Sequence, residues 1–252
     1  MKTKRAFAAL IFVTDVEESA VLRMFDWKPF RIDGDAQMYF RSYNSRGQEI
    51  IAARQGEMGM TASAVLTMKL AMHFQPVYVI MPGIAAGTTE ENDNEQMFGD
   101  VVLTDMIWNY SNGKYVPRNQ ASIFFGEVGF VPRPTVVTTD PRLQPFFEKA
   151  AQSTANETHV RIGTMASGAA VVANREVLNK QIKSQFSNTL ILDMESYGVA
   201  YAAAHATEPK PMAIIAKSIC DFADDRKNDE YQKFAAYTSS EFVKFMLEDI
   251  LE

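Results

Sequence analysis

Short, almost purely apolar runs recur along this chain, and most are followed by a longer segment whose apolar residues return at steps of three and four. The runs AFAALIFV (6–13), PVYVIMPG (76–83), GDVVLTDMIW (99–108), HVRIGTMA (159–166), TLILDM (189–194) and PMAIIAKSIC (211–220) read as strands. A strand without polar alternation is covered on both faces, which is the pattern of parallel strands joined by crossover helices. QMYFRSY and EIIAARQG, joined around NSRG, read as two further strands with a turn between them. Helices are expected over 16–25, 61–74 and 195–205. A last amphipathic helix carries Tyr231, Phe234, Ala235, Thr238, Phe242, Phe245 and Met246 on one stripe. The expected fold is α/β: a single domain over 1–252, with a twisted, mixed central sheet flanked by helices. Residues 109–156 are least legible, because prolines at 117, 132, 134, 141 and 145 interrupt any long element.

Composition narrows the partners. A net charge of −6 with a pI near 5.2 argues against nucleic acid or an anionic membrane as the main partner. The single cysteine, Cys220, excludes an internal disulfide framework and suits a reducing compartment. The basic, then apolar, start resembles a secretory signal, but Asp15, Glu17 and Glu18 follow at once and no small-residue cleavage site is present. It reads as a first buried strand. No other run approaches the ~20 apolar residues of a membrane span. The expectation is a soluble, cytoplasmic protein.

In open α/β sheets ligands bind beyond the carboxyl ends of the strands. Four groups fall there: Thr14, Asp15, Glu17 and Glu18; PGIAAG (82–87); Asp193, Met194 and Glu195; and Cys220, Asp221, Asp224 and Asp225. Glu17 and Glu18 also suit a helix N-terminus, and Asp221 also suits a cap or turn. A buried acid such as Glu195 has fewer routine structural uses. His73, His159 and His205 lack paired metal-ligand spacing, so no metal is expected. Neither G-x-G-x-x-G nor a P-loop occurs, and no cofactor is implied. Cys220 has no activating neighbour in sequence and reads as packing.

Taken together, TDVEESAVLR, QGEMGMTASA, MPGIAAG with GDVVLTD, ASGAAVVAN, LDMESYGVA and KSICDFADD resemble the blocks of the nucleoside phosphorylase/nucleosidase superfamily. Within it, the resemblance is closest to the 5′-methylthioadenosine/S-adenosylhomocysteine nucleosidases. It implies a purine nucleosidase that hydrolyses the N-glycosidic bond of an adenine nucleoside and works in methionine salvage. Glu18 stands at the position of the water-activating glutamate and Asp221 at that of the acid that protonates N7 of the base. Glu195 would accept from the ribose hydroxyls, and Met194 would pack on the sugar. The backbone around Ala85, Ala86 and Val172 would line the ribose and base. Homo-oligomers, most often dimers, are implied too. Trp108, Tyr110, Phe124 and Phe125 are interface candidates whose alternative is core packing.

A phosphorylase needs cations for a phosphate dianion. TDVEES lacks the arginine of the phosphorylases' first loop, and Met81 and Pro82 stand where a second arginine would lie. The electrostatics favour water. A phosphate-dependent phosphorylase and a non-catalytic nucleoside sensor are the alternatives. The chain also departs from the family pattern: Val171 replaces a stacking phenylalanine, Cys220 a serine and Lys217 an arginine. Ile84 and Ala86 stand where a small hydroxyl residue and a glycine are common.

Overall fold

A computed structural model describes residues 5–89, 96–153 and 158–252. Lys2 and Lys4 at the very start and part of the polar loop after PGIAAG lie outside the described residues. Strand β1 (Ala8–Phe12) leads into helix α1 (Asp15–Val21), and a short β2 (Lys28–Phe30) precedes the pair β3 (Tyr39–Tyr43) and β4 (Glu49–Arg54). Then come α2 (Met60–Phe74), β5 (Tyr78–Gly87) and β6 (Val101–Asn109). The middle holds β7 (Gly113–Pro117), β8 (Ile123–Phe125), β9 (Val128–Pro132), β10 (Thr135–Thr138) and α3 (Gln144–Gln152). The chain continues with β11 (Val160–Ser167), the short turn α4 (Arg175–Val177), β12 (Thr189–Asp193), α5 (Ser196–His205), β13 (Met212–Asp221) and α6 (Gln232–Phe245).

The strands behave as their composition requires. Successive side chains of a strand point to opposite faces, so an unbroken apolar run serves two cores. In β1, Ala8, Leu10 and Phe12 join a core with Val21 of α1, Phe147 of α3 and Phe242 of α6. Ala9, Ile11 and Val13 join the other core with Leu66 and Leu70 of α2 and Val199 of α5. Burying each such large side chain contributes ~1.5–3 kcal/mol. Strand β13 follows the same parity until Lys217, which falls on the face of Ile215 and Ile219 and is still only 1% exposed.

The main sheet is mixed. β1 runs parallel to β4 and β5, β11 is parallel to β6 and β12, and β12 is antiparallel to β5. β13 pairs parallel with β5 and antiparallel with β6. The pairings β5–β12–β11–β6–β13–β5 therefore close a ring, a small barrel embedded in the larger sheet. Closure explains why PGIAAG is not a loop. Strand β5 runs on to Gly87, held by β13 on one side and by β12 at Ala86 and Gly87 on the other.

One further expectation is corrected. Helix α1 stops at Val21 rather than reaching Phe25, where the Trp27 indole donates to the Val21 carbonyl at 3.0 Å and satisfies a helix-end acceptor. The prolines of 109–156 do interrupt long elements, and short ones form between them. Pro117 and Pro132 end β7 and β9 of a three-stranded antiparallel sheet, and Pro145 stands in the first turn of α3. Trp108 and Tyr110 are core residues, 0% and 3% exposed. The Trp108 indole donates to Thr189 at 3.1 Å, and the Tyr110 hydroxyl to the Ala170 carbonyl at 2.6 Å. Neither ring presents a surface, whereas Phe124 is half-buried beneath the Arg118 guanidinium.

Candidate active site

The four strand-end groups meet in one cavity of ≈ 270 Å³. Ala85 and Ala86 line it from β5, Met194 and Glu195 from the β12–α5 junction, Asp221 from the end of β13, and Val172 from the segment before α4. Val171, the residue in place of a stacking aromatic, also lines it and is 58% exposed. The cavity lies where the carboxyl ends of β1, β12 and β13 converge on the outer half of β5.

Glu18 is not in it. Its carboxylate pairs with the Arg54 guanidinium at 2.8 Å, and Arg54 also holds Asp15 at 2.6 Å. The acid facing the cavity is its neighbour Glu17, 2% exposed. The cause is local. Thr14 caps α1, its hydroxyl accepting from the Glu17 N–H, and Glu17 folds back to accept from the Thr14 N–H at 3.0 Å. This reciprocal capping box requires Ser/Thr-x-x-Glu, which TDVE satisfies and which turns the third helical residue back toward the strand. Glu18, one residue on, points away. The motif was readable in the sequence, and it selects Glu17.

Glu17 is tightly held. The N–H groups of Val13, Thr14 and Ile84 each donate to it at 3.0 Å, and the Lys217 ammonium lies 3.5 Å away. Burial works against its charge, but Lys217 and the three N–H groups outweigh burial and hold it below the ordinary carboxylate range. Gly83 makes this possible. A Cβ there would stand 2.0 Å from the Glu17 carboxylate and 2.7 Å from Lys217 Nζ, and its φ of +146° is one that side-chain-bearing residues rarely adopt.

Lys217 links Glu17 to the second acid group, with Asp193 at 3.9 Å on its other side. Burial lowers the affinity of Lys217 for its proton, but Glu17, Asp193 and Glu195 reverse this and raise it. Asp193 closes the start of α5: it accepts from the N–H groups of Glu195 and Ser196, at 3.2 and 3.1 Å, and from the hydroxyls of Ser167 and Ser196. That anchoring leaves Glu195, 8% exposed, beside the cavity. The Gly59 N–H donates to Glu195 at 2.8 Å. This bond depends on a close helix crossing, since a Cβ on Gly198 of α5 would lie 2.1 Å from the Met60 carbonyl of α2. Burial and the neighbouring Asp193 push Glu195 up to about 7, against the pull of Lys217 and Gly59.

On the other side of the cavity, Asp221 is 4% exposed. One carboxylate oxygen accepts from the Ala223 N–H at 2.9 Å; the other takes the Lys227 ammonium and the Cys220 thiol, the latter at 3.5 Å. Burial and Asp221 push the Cys220 thiol up, so it stays protonated and does not act as a thiolate nucleophile. Lys227 had no signal in the periodicity, because it lies on the irregular segment between β13 and α6. Among the described residues lining this cavity it is the one cation. Also among the described residues, no group of three or more His, Cys, Asp or Glu side chains is placed to hold a metal ion, and no helix is long and apolar enough to cross a membrane.

This arrangement can be set beside known proteins. The chain is 27% identical over 209 residues to the ATP nucleosidase Cap17 of Escherichia coli, covering 76% of this chain and 39% of Cap17. It is 26% identical over 204 residues to the 5′-methylthioadenosine/S-adenosylhomocysteine nucleosidase of Marinomonas sp., covering 80% of this chain and 81% of that enzyme. It spans only 56% and 39% of the length of the first curated relatives it matches. Its fold superposes on the Neisseria meningitidis 5′-methylthioadenosine/S-adenosylhomocysteine nucleosidase, solved with methylthio-immucillin-A, with a TM-score of 0.76 at 21% identity over 96% of this chain and 98% of that one. The family model described as the phosphorylase superfamily matches residues 9–252, a span that takes in the ring of strands and every acid around the cavity, and on that match the chain belongs to the phosphorylase superfamily.

Proposed function

We propose that the chain is a purine nucleosidase that hydrolyses the N-glycosidic bond of an adenine nucleoside, such as 5′-methylthioadenosine or S-adenosylhomocysteine. The observation that carries this reading is the meeting of three buried carboxylates, Glu17, Glu195 and Asp221, around one cavity of nucleoside size. Cleavage of such a bond passes through a sugar with oxocarbenium character and needs an activated water and an acid for the leaving group. Glu17, kept ionised by Lys217 and three N–H groups, suits the base that takes a proton from water. Glu195 accepts from the Gly59 N–H at 2.8 Å on one oxygen and from the Met194 N–H at 3.3 Å on the other, and each oxygen keeps a second lone pair for the ribose hydroxyls. Met194 is the apolar floor under the sugar, and the backbone of Ala85, Ala86 and Val172 borders ribose and base. Asp221 faces the base and carries the proton to N7.

Water rather than phosphate is favoured by charge. Lys217 is occupied by Glu17 and Asp193, and Lys227 by Asp221, so these ammonium groups are already paired with carboxylates. Glu17 itself would repel a dianion. A second reading, hydrolysis of the N-glycosidic bond of ATP, is favoured by the likeness to Cap17. The test is release of the base from adenosine, methylthioadenosine, S-adenosylhomocysteine, ATP and inosine, with and without phosphate. Release of adenine from the adenine nucleosides without phosphate is expected. A strict need for phosphate would establish a phosphorylase, turnover of ATP alone the second reading, and binding without release a sensor.

A further inference from the structure

The Lys227–Asp221 pair has a consequence for the chemistry. Both oxygens of Asp221 are engaged: one by the Ala223 N–H, the other by the Lys227 ammonium and the Cys220 thiol. Lys227 reaches Asp221 from the segment between β13 and α6, and its side chain is 24% exposed against 5% for Asp221. It borders both the cavity described above and an adjoining one of ≈ 240 Å³ beneath Phe98 and Tyr231, and the two cavities share Cys220, Asp221 and Lys227. The ammonium thus touches the buried acid on one side and open space on the other.

Resting on the nucleosidase reading, the geometry points to Lys227 as the positioning residue that supplies the leaving base's proton through Asp221. As the C1′–N9 bond breaks, its electron pair passes to the purine. N7 takes a proton from Asp221, and Asp221 takes one from the Lys227 ammonium. Water adds to C1′ and gives its proton to Glu17. Lys227, left as a neutral amine, regains a proton from solvent, and Glu17 returns its own, so the sum is nucleoside plus water going to purine plus ribose. Cys220 is not the source, because its thiol is buried and has no route to solvent protons comparable with that of Lys227.

The test uses two leaving groups. Adenine needs the proton, whereas 4-nitrophenolate, released from a 4-nitrophenyl riboside, does not. In Lys227→Ala, kcat for the adenine nucleoside should fall on the order of a hundredfold, with KM changed much less, while nitrophenyl riboside cleavage falls only a few-fold. Added methylammonium should restore part of the adenine rate, and Lys227→Arg, which keeps the charge but holds its proton, should restore little. Equal losses on both substrates, or full activity in Lys227→Arg, would overturn the relay and leave a purely structural ion pair. Thermal unfolding of each variant separates misfolding from chemistry. If the wild type releases neither adenine nor nitrophenolate, the nucleosidase reading fails and the relay falls with it; if the wild type is active and Lys227→Ala matches it on both substrates, the relay alone fails.

Discussion

The two sides of the cavity are built differently. On the Glu17–Glu195 side every acid is fixed by regular structure: a capping box at the start of α1, the start of α5, and Lys217 in the middle of β13. On the Asp221 side the carboxylate stands at a strand end, and its cation comes from an irregular segment. Preorganised charge costs no reorganisation when a reaction begins, which suits the side to which the proposed reaction assigns the water and the ribose. A proton donor needs exchange with solvent, which suits the more open side.

That contrast can be broken most severely at Glu17. Glu17→Gln should lower kcat on the order of a thousandfold, whereas Glu18→Gln should change it less than about threefold; initial rates of adenine release decide, and the reverse order would return the base to Glu18. Lys217→Met should cost roughly 3–5 kcal/mol of stability, because it strands Glu17 and Asp193 in the core without a cation. Urea unfolding measures it. Gly83→Ala should cost about 2–3 kcal/mol by forcing Glu17 and Lys217 aside and straining the backbone, and activity should fall with it.

The pH dependence tests the Glu195 environment. Its folded-state value of about 7 lies above the ordinary 4.5 of a glutamate, so the folded form favours protonated Glu195. Its contribution to stability is full below about 4.5 and is lost as pH rises through about 7. Unfolding of the wild type between pH 5 and 8 should show a fall of roughly 2 kcal/mol that Glu195→Gln lacks; parallel curves would refute it. Ribose hydroxyls prefer the ionised acceptor, so KM for the nucleoside should drop across the same range.

Much of the fold was legible because strands buried on both faces leave an unmistakable run, and the acids at their ends mark where the runs stop. Glu195, Met194, Ala85, Ala86, Val172 and Asp221 border one cavity for that reason. Glu18 lies outside the cavity and its neighbour Glu17 lines it. Two adjacent acids at a helix start look alike in composition, and only the three-residue spacing from Thr14 tells them apart. The small sheet of 113–132 was hidden because its strands are short and end in proline.

The sequence by itself determined which segments are strands, which faces they bury and which three strand ends carry acids, since these follow from the period of two and from local capping. Only the tertiary structure decided that β13 closes a ring between β5 and β6. The same closure puts Lys217 between Glu17 and Asp193, and the segment that follows β13 brings Lys227 back onto Asp221. Partners such as Glu17 and Lys217 lie 200 residues apart, and no local period records which charges will share a buried space once the sheet has closed.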